Sequence, residues 1–173
     1  MLFVGKLETR KNITGIIEIA SLLKTKGINI QTVLVGNPGH GFNIIKRKID
    51  ISDLEILHLT NITDQELILL YNLAAVFIFP SYYEGFGYPV LEAMQCGCPV
   101  AVSNCPVLAE VVGANGLKIE ANDYRKFSEV IVRLLTDEEY RAEHILDGIT
   151  QSNKFNAERM KTEFKEILEK NNK

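Results

Sequence analysis

Two glutamates stand eight positions apart in the stretch SYYEGFGYPVLEAMQCGCPV, which spans residues 81–100. The residues around Glu84 and Glu92 are mostly apolar or glycine, and neither a helix core nor a buried strand normally carries such carboxylates. Each carboxylate has two strong acceptor oxygens and can accept two hydroxyl groups of a sugar. Gly85 and Gly87 let the backbone between the glutamates approach an anionic ligand closely. The stretch therefore predicts a site that holds an anion between two sugar-binding carboxylates.

Prolines predict the local structure of this stretch. Pro80 ends an apolar run and Pro89 suits the first turn of a helix, so Glu92 is expected about one turn inside that helix. The backbone N–H groups from Phe86 to Tyr88 then lie at the helix N-terminus, where an anion is favoured. Both glutamates also have ordinary explanations. Glu84 would be an exposed loop acid, and Glu92 a helix acid favoured by the N-terminal dipole.

A second candidate loop, GKLETRKN, spans residues 5–12 and carries three basic side chains. Lys6, Arg10 and Lys11 follow a strand-like run, and Asn12 can cap the next helix. Basic side chains beside a helix N-terminus predict a site for a phosphate or diphosphate, although a solvated basic loop explains them equally well. The loop matches neither the P-loop pattern nor the dinucleotide pattern G-x-G-x-x-G. These absences argue against an ATPase and an ordinary NAD enzyme.

The elements that must position these loops are strands that alternate with helices. Six short runs are nearly continuously apolar, as expected for strands covered on both faces: LFVGKL, QTVLVG, LEILHL, AVFIFP, PVAVS and GLKIE. Amphipathic helical patterns separate them, with capping boxes predicted at Thr63–Glu66 and Thr136–Glu139. This order predicts right-handed crossovers and an α/β fold: a Rossmann-like, doubly wound, six-stranded parallel sheet with helices on both faces. We expect one domain over residues 1–173, with C-terminal helices over 137–173 whose last apolar stripe is Met160, Phe164, Ile167 and Leu168.

In such a sheet, ligands bind beyond the carboxyl ends of the strands, where loops lead into helices. That rule selects the loops after the first four strand-like runs, including GNPGHG at residues 36–41 and HLTNIT at residues 58–63. Gly36 permits either a close backbone approach to a ligand or simply a tight turn. His40 is better explained as an exposed loop residue than as an acid or base.

Composition argues against several other classes of protein. A formal net charge of −3 over 173 residues gives no electrostatic footprint for nucleic acid. The longest apolar stretch is interrupted at Asn72 and ends at Pro80, short of the roughly 18 apolar residues that a membrane-spanning helix needs. We expect no signal peptide before the first strand-like run. The three cysteines match no common zinc pattern, so we expect reduced thiols, no bound metal and a cytoplasmic location.

The stretch EGFGYPVLEA resembles the E-x7-E signature of retaining GT-B glycosyltransferases of the family-4 type. Gly5, Lys6 and Lys11 resemble the glycine and two basic residues that bind the donor diphosphate in that family. The runs DQELILLYNLAAVFIFPSYYEGFG and GCPVAVSNCPVLAEVVG resemble the segments before and after the signature, and residues 121–123 resemble the turn before a late helix. The resemblance covers nearly the whole chain, and several ordered elements at consistent spacing make it specific.

The resemblance implies a role for each candidate residue. Glu84 would face hydroxyl groups of the transferred sugar, and Glu92 would face the ribose of the nucleotide. Lys6 and Lys11 would neutralise the departing diphosphate. The implied catalytic residues are thus Glu84, Lys6 and Lys11, and the implied donor-binding residues are Gly5, Gly36, Asn61, Gly85, Phe86, Gly87, Tyr88 and Glu92. No cofactor and no metal are implied, since the nucleotide diphosphate sugar is the substrate.

The resemblance maps the chain to the donor-binding, C-terminal half of a GT-B enzyme. No counterpart of the acceptor-binding domain is found, and Leu2 begins directly inside a strand-like run, so we expect a truncated protein. Such a piece would bind donor weakly and transfer little, because an acceptor must be positioned by the missing half. An acceptor sugar or lipid, and any peripheral contact with a membrane, would come through that half.

Two other functions stay open on the sequence. The same half of the fold serves nucleotide-sugar epimerases, and the chain could also be a non-catalytic nucleotide-sugar binding module. The run SNCPVLAEV resembles mannosyltransferase-like members, which favours GDP-mannose over UDP-glucose while the base, the hexose and the acceptor stay open. The chain departs from the family at Ala75, where aspartate is common, and at Lys6, where arginine is common. Lysine keeps the charge but loses the bidentate fork.

Overall fold

The computed structural model describes residues 1–155, and these form a parallel α/β sandwich of three layers. Its strands are β1 (Leu2–Val4), β2 (Thr32–Val35), β3 (Ile56–Leu59), β4 (Phe77–Phe79), β5 (Val100–Ser103) and β6 (Leu117–Ile119). Its helices are α1 (Ile13–Thr25), α2 (Phe42–Ile51), α3 (Asp64–Leu73), α4 (Tyr88–Gln95), α5 (Pro106–Val112), α6 (Tyr124–Thr136) and α7 (Glu138–Ser152), with a 3-10 turn at Thr9–Lys11.

All six strands belong to one parallel sheet in the order β3-β2-β1-β4-β5-β6. Each strand falls inside one of the six apolar runs, so the predicted doubly wound sheet is confirmed. Three of the four inner strands, β1, β4 and β5, are buried along their length, whereas the edge strand β3 is partly exposed. The apolar runs are continuous because helices cover both faces of the sheet at these strands.

Helices cover both faces of this sheet. Helices α1, α2 and α6 pack together in one layer, and α3, α4 and α5 form the other, with α7 against α4, α5 and α6. The core between the layers is rich in aromatic rings. Phe79 stacks with Phe3 at 5.4 Å and with Phe77 at 5.8 Å between ring centroids. These rings anchor β1 and β4, the two strands from which the candidate loops emerge.

The strand order reverses between β1 and β4, which creates a crevice at their carboxyl ends. The loop after β1 and the loop after β4 both open into this crevice. A backbone hydrogen bond joins them, from Tyr82 N to Arg10 O at 3.0 Å. The crossover rule therefore brings the two sequence-distant candidate loops together.

The two predicted capping boxes have different outcomes. Thr63 Oγ1 accepts from Glu66 N at 3.3 Å, and Thr63 N donates to the Glu66 carboxylate at 2.8 Å, so the first box is confirmed. The second is wrong, because Thr136 is the last residue of α6 and its hydroxyl donates to a carbonyl of the preceding turn. Asp137 caps α7 instead, accepting from Tyr140 N at 2.9 Å. A carboxylate one residue later is the stronger acceptor at this helix start.

The C-terminal part of the chain is helical where the structure describes it. Helix α7 covers Glu138–Ser152, and the C-terminal helices expected over residues 137–173 stay a prediction. The predicted apolar stripe from Met160 to Leu168 lies outside the described residues.

Candidate functional site

The centre of the site is Glu84, a carboxylate held by two cations. Its Oε1 accepts a hydrogen bond from Lys11 Nζ at 2.8 Å, and its Oε2 lies 3.1 Å from Arg10 Nη1. Glu84 is only 7% exposed and Lys11 only 8%. The ammonium of Lys11 also lies 4.8 Å from the ring centroid of Phe79. The structure thus places a buried ion pair at the crevice, formed by residues 73 positions apart.

The charge state of Glu84 follows from these contacts. Burial raises the pKa of Glu84, but the hydrogen bond and charge of Lys11 and the hydrogen bond of Arg10 oppose burial and leave the pKa below its usual value. The carboxylate is therefore ionised at neutral pH. An ionised carboxylate accepts about four hydrogen bonds, and the two cations leave part of that capacity for a ligand.

Arg10 is the residue of this cluster that the sequence analysis did not include among its candidate site residues. Its guanidinium bridges Glu84 and Glu8, with 2.6 Å to the Glu8 carboxylate, and donates to the carbonyl of Tyr83. Its side chain is 39% exposed, so it forms the solvent side of the cluster. The signal in the sequence was its place directly before Lys11, but no local pattern shows that its partner lies in another loop. Five fixed donors suit such a bridge.

Lys6 is not drawn into this cluster. It is exposed, and its ammonium forms no ion pair with any residue among 1–155. A Cβ atom added to Gly39 would lie 3.0 Å from Lys6 Cγ, so the lysine stem lies over the loop that follows β2. Lys6 therefore borders the crevice from the β2 side, and its predicted contact with a diphosphate stays a prediction.

Gly5 and Gly36 bring two loops into backbone contact. Both have positive φ, +145° and +142°, and a Cβ atom on Gly36 would lie 2.1 Å from the carbonyl oxygen of Gly5. Gly36 N donates to Leu59 O at 2.9 Å, and His58 Nε2 lies 2.8 Å from Gly36 O. Gly36 is therefore required by the packing of the chain itself, whatever ligand it also approaches.

The loop after β3 contains Asn61, which the sequence analysis names as a candidate donor-binding residue. Asn61 is exposed and has a φ of +56°, a left-handed conformation that asparagine tolerates well. It lies between β3 and the capping box of α3, so the loop has a defined shape. His40, by contrast, is an exposed loop residue, as its sequence context indicates.

The start of α4 presents free backbone donors beside Glu84. Gly87 precedes the helix with a φ of +100°, and a Cβ atom there would lie 2.6 Å from Leu108 Cδ2. Within the described part of the chain, the N–H groups of Phe86 and Gly87 donate no hydrogen bond. Gly85 is exposed, with nothing within 4 Å of an added Cβ atom. Free donors at a helix N-terminus favour an anion.

Aromatic rings flank these donors. The ring centroids of Phe86 and Tyr88 are 4.6 Å apart, and that of Phe155 lies 5.9 Å from Phe86. Tyr88 is 66% exposed, so its ring is available at the rim of the crevice. The glycine-rich stretch is therefore open on one side and packed on the other.

Glu92 lies in α4, as the sequence predicts, and its side chain is exposed. Its Oε2 accepts a hydrogen bond from the hydroxyl of Tyr71 at 2.8 Å, a contact between α4 and α3 that the sequence did not reveal. The two residues share an open groove of about 390 Å³ with Asp64, Leu67, Ile68, Gln95 and Cys96. Glu84 thus precedes α4 in the chain, and Glu92 lies inside that helix.

Asn12 corrects one prediction of the sequence analysis. It precedes α1, but its side chain makes no capping hydrogen bond, and its φ is +53°. The buried amide instead donates to Ala121 O at 2.9 Å and to Pro80 O at 3.3 Å. A capping residue normally has an extended backbone and uses its side-chain oxygen as acceptor. Asn12 has a left-handed backbone instead, and its Oδ1 accepts from the hydroxyl of Tyr124 at 3.4 Å. Asn12 consequently ties the basic loop to the end of β4 and to the turn before α6.

The remaining side chains that could hold a metal or react are dispersed. Within residues 1–155, no group of three or more His, Cys, Asp or Glu side chains is arranged to hold a metal ion. Cys96, Cys98 and Cys105 are free thiols, and burial raises the pKa of Cys98 to about 12. No helix among these residues is both long and apolar enough to cross a bilayer.

Together, the fold and this edge define an α/β domain with a Rossmann-like sheet of the kind found in one half of GT-B glycosyltransferases. The family model for glycosyl transferases group 1 matches residues 1–149, and the chain belongs to that family.

Similarity to individual proteins extends over most of the chain. O-antigen chain mannosyltransferase B of Escherichia coli is 36% identical over 165 residues, which cover 94% of this chain and 43% of that protein. The serotype-specific mannosyltransferase WbdA of the same species is 34% identical over 160 residues, covering 90% of this chain and 20% of that protein. HepE of Anabaena, solved in complex with UDP-glucose, superimposes with a TM-score of 0.84 at 19% identity over 98% of this chain and 48% of that chain. The chain thus spans less than half the length of these three proteins.

Proposed function

We propose that this chain is the donor-binding half of a retaining glycosyltransferase that moves a hexose from a nucleotide diphosphate sugar to an acceptor. The observation that carries the proposal is the buried, ionised Glu84, held by Lys11 and Arg10 next to the free N–H groups at the start of α4. A carboxylate for hydroxyl groups and donors for an anion then lie side by side. A nucleotide diphosphate sugar presents those two chemistries at adjacent positions.

Glu84 binds the hexose in this proposal. Its two cations fix the carboxylate in place, so it accepts hydroxyl groups of the sugar without first being ordered. Its lowered pKa keeps it a pure acceptor, and no proton is needed from it. The ion pair between Lys11 and Glu84 therefore exists without a bound donor and already holds the carboxylate in position for the sugar.

The diphosphate is bound by cations and backbone donors. Lys11 has three N–H donors, of which one is used by Glu84, so the others are available for phosphate oxygens. Lys6 adds a charge from the β2 side of the crevice, and the N–H groups of Phe86 and Gly87 add donors from the start of α4. As the bond between hexose and phosphate breaks, negative charge grows on the leaving diphosphate, and these groups stabilise it.

Glu92 binds the ribose, and the base lies near Asn61. Glu84 lies before the start of α4 and Glu92 lies inside that helix, which supports roles for the two carboxylates at different parts of the donor. Gly5, Gly36 and Tyr88 border the nucleotide. Relatives named as mannosyltransferases support a GDP-hexose, and a structural neighbour named as a complex with UDP-glucose supports a UDP-hexose.

The acceptor sugar or lipid is held by a domain outside this chain. The curated relatives are more than twice as long as their match to this chain, so we expect the chain alone to bind donor and to transfer little. Retention requires the acceptor hydroxyl to attack on the face from which the diphosphate leaves, and that positioning comes from the acceptor domain.

The test is a comparison of GDP-mannose with GDP, and of UDP-glucose with UDP, by calorimetric titration of this chain. Glu84→Gln removes the charge with little change in shape. It should weaken binding of the sugar nucleotide about tenfold or more, while the nucleotide diphosphate without sugar changes less than about threefold. Glu139→Gln, an exposed acid on α7, serves as the matched control. Equal losses for both kinds of ligand would contradict the role of Glu84.

A further inference from the structure

Tyr71 carries a phenol hydroxyl out of the hydrophobic core to the surface carboxylate of Glu92. The residue lies in the eighth position of the ten-residue helix α3 and is only 2% exposed. Its hydroxyl donates to Glu92 Oε2 at 2.8 Å. A phenylalanine would fill the same space, so packing alone does not explain the hydroxyl group.

The ring of Tyr71 is fixed by its neighbours. It meets Phe77 of β4 edge-on, with 5.7 Å between ring centroids and 61° between ring planes. Burial and the nearby Glu92 carboxylate both raise the pKa of Tyr71 well above its usual range. The phenol therefore keeps its proton and acts as a donor, and its position is as rigid as the sheet that it packs against.

Glu92 is a side chain with one carboxylate oxygen held by this hydroxyl. It is exposed on α4, and within residues 1–155 its Oε1 accepts no hydrogen bond. Free glutamate side chains sample several rotamers, and fixing them costs conformational entropy when a ligand binds. A hydrogen bond to Oε2 removes that freedom in advance and leaves Oε1 available to the groove that both residues line.

We propose that Tyr71 is a positioning residue, which holds Glu92 so that its free oxygen accepts the ribose hydroxyl groups of the donor nucleotide. This inference rests on the proposed function of Glu92 as the ribose-binding carboxylate. Tyr71 does not touch the ligand in this account. It acts through Glu92 by orienting the carboxylate before the nucleotide arrives.

The experiment uses calorimetric titration of this chain with GDP and with 2′,3′-dideoxy-GDP, an analogue without ribose hydroxyl groups. Tyr71→Phe should weaken GDP about three- to tenfold and change the dideoxy analogue less than about twofold. The control is Tyr140→Phe on α7, which removes a phenol hydroxyl that makes no hydrogen bond among the described residues. Far-UV circular dichroism checks that each variant is folded. If the chain binds UDP more tightly than GDP, the titrations use UDP and 2′,3′-dideoxy-UDP instead of GDP and 2′,3′-dideoxy-GDP.

The possible results separate a failure of the positioning role of Tyr71 from a failure of the proposed function. If Glu92→Gln weakens GDP selectively but Tyr71→Phe does not, Glu92 binds ribose and only the positioning role is wrong. If Tyr71→Phe weakens both nucleotides equally, the residue has a general structural role and the inference fails. If Glu92→Gln leaves GDP unchanged, or the folded chain binds no nucleotide at millimolar concentration, the proposed function fails and this inference fails with it.

Discussion

Breaking the buried ion pair of the site should cost measurable stability, and Lys11→Met is the change that tests this. Methionine keeps most of the volume of the lysine stem but leaves Glu84, which is 7% exposed, without its nearest cation at 2.8 Å. Removing one partner of a buried pair costs about 3–5 kcal/mol. Arg10 remains near Glu84 on the solvent side, so the lower end of that range applies.

The assay is urea unfolding followed by far-UV circular dichroism, because the chain has no tryptophan. A loss of about 3 kcal/mol at pH 7, with a slope of roughly 2 kcal/mol per molar urea, moves the midpoint by about 1.5 M. Lys46→Met is the control, since it breaks an exposed pair with Asp50 on α2 at 3.0 Å and should cost less than about 0.5 kcal/mol.

The pH dependence of this loss follows from the lowered pKa of Glu84. A carboxyl group whose pKa is lower in the folded state stabilises the protein above its unfolded pKa, about 4.3, and that contribution is lost as pH falls through the folded value. In Lys11→Met, burial is less opposed, so the pKa of Glu84 rises and the group protonates sooner. The difference between wild type and variant should therefore shrink from pH 7 to pH 4. A loss below about 1 kcal/mol at pH 7, or one independent of pH, would refute the buried pair.

Three further predictions use other features of the same fold. Gly36→Ala should lower the free energy of unfolding by more than about 2 kcal/mol, because its Cβ atom would lie 2.1 Å from a carbonyl oxygen; a loss below about 0.5 kcal/mol in urea unfolding would contradict that contact. Asn12→Ala should cost about 1–3 kcal/mol by the same measurement, since it leaves two backbone carbonyl groups without a donor, and an unchanged midpoint would contradict this. Cys98, buried and with a pKa raised to about 12, should react with iodoacetamide at pH 8 only after unfolding, whereas mass-spectrometric detection of modified Cys98 in the folded chain would contradict its burial.

The sequence was sufficient to predict the sheet and the loops because both follow from local patterns. Continuous apolar runs such as AVFIFP predict covered strands, and the crossover rule then places the loops after β1 and β4 at one crevice. The position of Glu92 inside α4 followed from Pro89 in the same way.

The contacts inside the site were not predictable, since they join residues that no local pattern relates. Lys11 and Glu84 are 73 positions apart, and Tyr71 and Glu92 are 21 positions apart. Tyr71 lies on the buried side of α3, but no local pattern tells which partner its hydroxyl finds. The cross-link made by Asn12 was unpredictable for a similar reason, because its carbonyl partners come from two other loops.

The measurement that tests the central claim most directly is calorimetric titration of this chain with GDP, UDP and ADP, repeated with Glu92→Ala. The account predicts binding that prefers one nucleotide and becomes about tenfold or more weaker in the variant, because a hydrogen bond to a charged group is lost. Failure of the folded chain to bind any of the three at millimolar concentration, or binding that Glu92→Ala leaves unchanged, would contradict a nucleotide-sugar site at the carboxyl edge of this sheet.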